Sequence, residues 1–304
     1  MRPLHRRTLL AALPALAGCA GPMAELSSQA TTQPAADLLR EAAAAHGAAA
    51  FAKMSDISVS YAGEWRALVD KLQPALVDAG FRGGSQERLL LRERLVGQAH
   101  SGPDGHKQVV RRTSPKAEGE VRVWFNDTEA TDLPRRDGAA LVADAYSLFL
   151  LGPMLLAGPW AADRMLTMEL AGIERVRDDA QLHDCDVLRI RTAPGLGLSG
   201  SDHLELMIDR DRKLMRRVRF TLDGLESTRG AVAEVDCADH VLLAGVLWPT
   251  RFHEQLLRPL SLPVHDWRMT GLDVDRGLTP AEASGPRFTG RALAPATSLL
   301  TRRS

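Results

Sequence analysis

The 304-residue chain is short of the residue types from which most recognisable chemistry is built. Aromatic residues make up 5% of it, there are three cysteines, and 38 Lys and Arg are matched by 38 Asp and Glu. With charges so balanced and no concentrated basic face in the sequence, nucleic acid is a poor partner. Cysteines this few, with no Cys-x-x-Cys spacing, do not make a zinc site. Beyond the N-terminus the longest apolar run, residues 145–160, is interrupted by Ser147, Gly152-Pro153 and Gly158-Pro159. A straightforward membrane-spanning helix needs about 20 uninterrupted apolar residues, so this run is not one.

Catalytic motifs are missing as well. Gly195-Leu196-Gly197-Leu198-Ser199-Gly200 spells a dinucleotide-binding pattern, but residues 203–209 after it alternate as a strand where a helix start is required. It reads as a glycine-rich hairpin loop. His253-Glu254-Gln255-Leu256-Leu257 opens like a zinc-protease helix and has Leu257 where the second histidine belongs. The Gly-x-Ser-x-Gly nucleophile pattern fails too, because Gly200 arrives one residue early. His203, His240, His253 and His265 come from four different strands or strand ends, which favours scattered structural histidines over a metal cluster. Asp209-Arg210-Asp211-Arg212 places cationic side chains where a calcium loop needs oxygen, so it reads as a polar turn. The sequence therefore calls for no cofactor, no metal and no enzymatic activity.

What the N-terminus does contain is Arg2, Arg6 and Arg7 ahead of a short apolar core at residues 8–17, then Leu16-Ala17-Gly18-Cys19. This resembles a bacterial lipoprotein signal, with residues 1–18 removed and Cys19 lipidated. An ordinary cleaved signal with a chance cysteine is the alternative reading. The Arg6-Arg7 pair also resembles a twin-arginine export signal. Ala20, where inner-membrane lipoproteins carry aspartate, implies by the same resemblance the periplasmic face of the outer membrane. Acyl chains on Cys19 would then be the membrane attachment. Cys185 and Cys237 remain, and an oxidising compartment permits a disulfide between them. Two separate buried thiols is the other reading.

Residues 19–36 are rich in Ala, Ser, Thr and Gln and read as a flexible tether. Residues 37–53, after a candidate Asp37 cap, place Leu38, Leu39, Ala42, Ala43 and His46 at helical spacing, with His46 a hydrogen-bonded structural residue. Thereafter short alternating runs separated by turn residues predict about eleven antiparallel strands, with Ser101-Gly102-Pro103-Asp104-Gly105 a hairpin loop. The strong helical interruption is residues 138–151, where Leu141, Val142, Ala145, Leu148, Phe149, Leu150 and Leu151 make the helix apolar almost all round. Such a helix must be buried on more than one side. The fold class expected is α+β, a strongly curved antiparallel sheet, or incomplete barrel, enclosing helices.

The order of these parts resembles the bacterial lipoprotein-localisation carrier and acceptor superfamily (LolA/LolB-like). The matching stretches are Ala42-Ala43-Ala44-Ala45-His46-Gly47, the strand pair around the Asp209-Arg210 turn, and Gly245-Val246-Leu247-Trp248-Pro249-Thr250-Arg251-Phe252 ahead of a last long strand. The resemblance covers most of residues 37–292, taken as one domain with a tail at 293–304, and has no counterpart for residues 63–86. It implies an open barrel holding acyl chains, with a tethered molecule more acceptor-like than carrier-like. Abundant Leu, Val and Met suit a deformable aliphatic lining, although the same residues could fill a solid core. Leu141, Leu148, Phe149, Leu155, Trp160 and Trp248 are the candidate lining residues. Their expected partner is a lipid or an acylated protein.

Overall fold

The computed structural model describes residues 23–113, 120–158, 161, 164–178 and 181–297. Cys19 and Trp160 lie outside these residues. Six strands come first: β1 (Asp56–Trp65), β2 (Gly84–Leu90), β3 (Leu95–Gly102), β4 (Gly105–Arg112), β5 (Glu120–Phe125) and β6 (Thr128–Glu129). Helix α5 (Leu133–Ala157) follows, then β7 (Met165–Asp178), β8 (Gln181–Ala193), β9 (Asp202–Asp209), β10 (Met215–Thr221) and β11 (Val232–Ala238). A small hairpin, β12 (Val241–Leu243) and β13 (Val246–Trp248), precedes β14 (Arg251–Arg258) and β15 (Leu262–Val274). Among the described residues five further helices are short or N-terminal: α1 (Gln33–His46), α2 (Ala48–Phe51), α3 (Ala67–Leu72), α4 (Pro74–Val77) and α6 (Pro280–Ala283).

Thirteen strands form one antiparallel sheet in the order β6-β5-β4-β3-β2-β1-β15-β14-β11-β10-β9-β8-β7, with β12 and β13 paired separately. Among the described residues fifteen strands replace the expected eleven: β6 and β12 are too short to show alternation, and the runs expected at 88–99 and 246–257 each divide into two strands, β2 with β3 and β13 with β14. The first and last strands of the run, β1 and β15, pair with each other and join the two halves. The outer strands β6 and β7 do not pair, so the sheet is open.

Helix α5 explains why the sheet bends. It packs against β4 and β5 near one end of the sheet and against β10 near the other, contacts that a flat sheet could not make at once. Nearly every residue from Gly138 to Leu156 is buried. Each large apolar side chain so enclosed contributes roughly 1.5–3 kcal/mol. Among the described residues α5 is the helix long and apolar enough to cross a membrane, and 94% of its most apolar stretch is buried inside the protein. It extends beyond the expected 138–151 because Asp132 caps it through the Arg135 N–H at 3.1 Å. Gly152, at φ 43°, breaks the helical path just before Pro153.

The expected helix at 37–53 is two helices. Gly47 takes φ 100°, ends α1, and starts α2; a Cβ here would lie 2.2 Å from the Gly245 carbonyl oxygen. The cap position is Thr32, not Asp37. The end of the expected tether is bound to the sheet: the Thr32 N–H donates to Met168 O at 2.9 Å and the Thr31 hydroxyl to Leu166 O at 3.1 Å. These bonds cover the edge strand β7. Part of the expected tail is also attached, with the Leu272 N–H donating to Thr297 O and buried Arg88 donating to Ala292 O and Ala294 O.

Cys185 and Cys237 are free, buried thiols. Cys185 clusters with Val176, Val187 and Met207 on the outer face, whereas Cys237 belongs to the main core under Phe149. They sit three strand spacings apart, about 14 Å, on opposite faces, so the expected disulfide is overturned.

Two polar clamps hold the helices. His46 Nδ1–H donates to Leu247 O at 3.1 Å while Nε2 accepts the Met215 N–H at 3.0 Å. The ring must be neutral to do both, and burial lowers its pKa to about 4. On α5, buried Asp144 receives Arg111 Nε and Nη2 at 3.1 and 3.0 Å and the Gly197 N–H at 2.9 Å. The glycine-rich loop is therefore the expected hairpin connection, fastened to the central helix.

His46 binds protons more readily unfolded than folded. Its contribution is complete above about pH 6.5 and is lost as pH falls towards 4, on the order of 3 kcal/mol. Urea unfolding of His46→Gln and the parent protein should accordingly show a stability gap that is wide at pH 7 and narrows by about that amount at pH 4. Asp144→Ala removes the carboxylate that buried Arg111 pairs with and should cost about 3–5 kcal/mol at pH 7, read by the same unfolding experiment.

Candidate functional site

The chain between β1 and β2, the segment without a counterpart in the family pattern, folds as α3 and α4 over one end of the concave face. Val69 and Val77 pack on Val264, and polar bonds add to that attachment. The Arg66 N–H donates to Val264 O at 2.9 Å, Asp70 accepts the Ala79 N–H at 3.1 Å, and Gln73 exchanges hydrogen bonds with Ser227 at 3.1 and 2.9 Å. Buried Lys107 on β4 pairs with Asp78. Arg82 is 4% exposed and donates from Nη1 to Leu76 O and Val77 O, at 3.0 and 3.2 Å, holding the last turn of α4.

Between this cover, α5 and strands β10, β11, β14 and β15 lies a cavity of about 280 Å³. Its walls are mainly aliphatic and aromatic, among them Leu141, Val142, Ala145, Phe149, Phe220 and Leu256. The volume is close to the lower end of the roughly 300–1,000 Å³ of small-molecule sites. Gln73, Ser227, Arg229 and Pro259 border it on the exposed side.

One end of the cavity is polar and is organised by stacked rings. Trp65 lies on His265 at 3.9 Å, His265 on Trp267 at 4.6 Å, and Trp267 on Phe252 at 5.0 Å. The Arg82 guanidinium caps this column 4.3 Å from the Trp65 ring. Arg82 Nη2 donates to the Tyr146 hydroxyl at 3.2 Å, and that hydroxyl in turn donates to His265 Nδ1 at 3.1 Å. Burial lowers the His265 pKa to about 2, which keeps Nδ1 free to accept. Burial also raises the carboxyls of Glu87 and Glu254 to about 7 each. Glu254 faces the cavity and, among the described residues, has neither a hydrogen-bond nor an ion-pair partner.

Of the six candidate lining residues, Leu141 and Phe149 line this cavity. Leu148 and Leu155 face a second void of about 30 Å³ on the other side of α5, room for little more than a water molecule. Trp248 is fully buried and donates its indole N–H to Leu243 O at 3.0 Å, so it is a core residue of the β12–β13 hairpin. Trp160 lies outside the described residues. Arg82, Glu254, Tyr146 and Trp65 were not among the expected site residues; the unmatched 63–86 segment was the signal available for the first and last of them. The scattered histidines stay apart: no group of three or more metal-ligating side chains occurs among the described residues.

A larger groove of about 680 Å³ runs over the outer face. Arg177, Arg216, Arg251 and Arg268 line it together with Glu64, Asp178, Asp236 and Asp266. Its charges of both signs alternate with apolar residues such as Val176, Ala238 and Phe252, so it is a mixed polar groove.

No protein-family model matches the chain, and no curated protein sequence matches it. Solved structures with a similar fold include a DUF1329 family protein from Desulfovibrio piger, 14% identical over 83% of this chain and 96% of that one, with a TM-score of 0.47. A LolA superfamily protein from Nitrosomonas europaea is 12% identical over 85% and 99% of the two chains, with a TM-score of 0.48. An outer membrane lipoprotein-sorting protein domain from Vibrio parahaemolyticus is 8% identical over 81% and 94%, with a TM-score of 0.46.

Proposed function

We propose that this protein is a lipid-anchored cell-envelope protein that shelters one acyl chain, of a lipid or an acylated protein, in the cavity beneath α3 and α4. Acyl chains on Cys19 would hold it at the periplasmic face of the outer membrane, where it would receive or pass on its guest. The observation that carries the reading is the partly open, mainly apolar cavity of about 280 Å³ between α5 and the sheet. Polar bonds and the apolar cluster of Val69, Val77 and Val264 together fasten its cover. Burying each methylene is worth about 0.8 kcal/mol. A dozen of them roughly offset the 4–15 kcal/mol of lost translational and rotational freedom on association. Reversible rather than irreversible capture is the consequence, as transfer requires.

Native mass spectrometry of the protein, followed by solvent extraction, should find about one amphiphile per molecule. Ala145→Leu adds bulk at the cavity wall and should lower lipid retention at least tenfold with an unchanged melting temperature. Leu148→Met, facing the other side of α5, should retain lipid like the parent. Protein that is ligand-free and ignores added lipid, yet captures a stoichiometric protein partner, would replace this reading with that of a partner-binding lipoprotein with a filled core.

A further inference from the structure

The polar end of the cavity implies something about the guest that apolar walls alone do not. Arg82 spends Nη1 on two carbonyls and part of Nη2 on Tyr146, while its Nε has no hydrogen-bond partner among the described residues. Nε–H and the second Nη2–H form the side-on fork that matches a carboxylate. No carboxylate of the described residues lies within ion-pairing distance of this guanidinium. Glu254, also lining the cavity, offers a carboxyl with no partner of its own. A buried cation short of a carboxylate and a half-buried carboxyl short of a donor are each costly in a mainly apolar wall.

We propose that the cavity takes a free long-chain carboxylic acid, head first, with its carboxylate on the Arg82 fork and its tail along Leu141, Phe149 and Phe220. This rests on the cavity reading above and narrows its ligand class. An acyl chain in ester or amide linkage has no carboxylate and would set its methyl end against Arg82 and Glu254. Since apolar burial and the cost of association nearly cancel, the head contact decides affinity.

Glu254 makes the binding pH-dependent. The groups facing it are Arg82 from the segment after α4, Tyr146 from α5 and His265 opposite it on β15, with Glu87 on β2 acting on Arg82 and His253, on the other face of β14, paired with Asp266. His265 stays neutral throughout. Protonated, Glu254 donates to the guest carboxylate; ionised, it repels that carboxylate and competes for Arg82. Binding is therefore tighter at pH 6 than at pH 8.

The test is a titration of the protein with palmitic acid and with methyl palmitate, followed by Trp fluorescence and native mass spectrometry. The acid should bind at least tenfold more tightly than the ester at pH 6. Glu254→Gln, which keeps a donor and removes the charge, should tighten acid binding at pH 8 about tenfold and leave ester binding unchanged. Equal binding of acid and ester, with no effect of Glu254→Gln, overturns the head-group inference and leaves the cavity reading standing. Failure of both probes to bind overturns the cavity reading and this inference with it.

Discussion

A single helix that is apolar on every side sets the terms for the whole molecule. Helix α5 cannot lie on a surface, and one sheet face cannot cover it, so the sheet must bend until both of its halves reach the helix. The long antiparallel run β1–β15 does this, with α1 closing part of the remaining side. Once the helix is enclosed, each polar group taken inside with it needs a partner. Asp144 with Arg111, His46 with two backbone groups, and Tyr146 between Arg82 and His265 are those partnerships. They also fix where the helices sit, because each bond has one geometry whereas apolar contact has many.

The strand pattern was legible because the outer face is charged. On β8 to β11 Arg189, Glu205, Arg219 and Glu234 alternate with Leu188, Leu206, Val218 and Val235, and the charges pair across strands in alternating sign. These pairs are largely covered, with Glu205 and Glu234 buried. They keep each strand in register, since a one-residue slip would turn the charges inward. The glycine-rich loop, the Asp209 turn and the structural role of His46 were legible for similar local reasons. Strands of two or three residues were not, and neither was the αL turn at Gly47, which depends on a close approach to Gly245 far along the chain.

The site was legible only in part, and α5 shows why. Leu148 and Phe149 are neighbours on one apolar helix, and periodicity assigns both to a buried face. One looks into the cavity and the other into a void of about 30 Å³. Which buried face meets a filled neighbour and which meets empty space depends on the whole enclosure. Trp248 illustrates the opposite error: a large aromatic ahead of a long strand is as good a core residue as a lining residue. The disulfide reading failed for a related reason, because strand membership does not say which face of a bent sheet a thiol occupies.

The position of the cavity follows from a division inside the concave face. On β8 to β11 the inward residues are Leu188, Ile190, Leu204, Leu206, Val218, Phe220, Ala233 and Val235, which pack directly on α5 and its neighbours. On β2 to β4 they include Glu87, Gln98, His100, Lys107 and Arg111, all buried. Gln98 and His100 keep buried polar atoms without protein partners among the described residues, at about 1–3 kcal/mol each. An apolar half and a polar half cannot both pack closely against one apolar helix. The mismatch falls where they meet, at β14 and β15 beneath α3 and α4, and the space there has hydrocarbon walls on one side and Arg82, Tyr146 and Glu254 on the other. Volume and polarity therefore have one origin: the boundary that prevents close packing also supplies the groups that can meet a polar head.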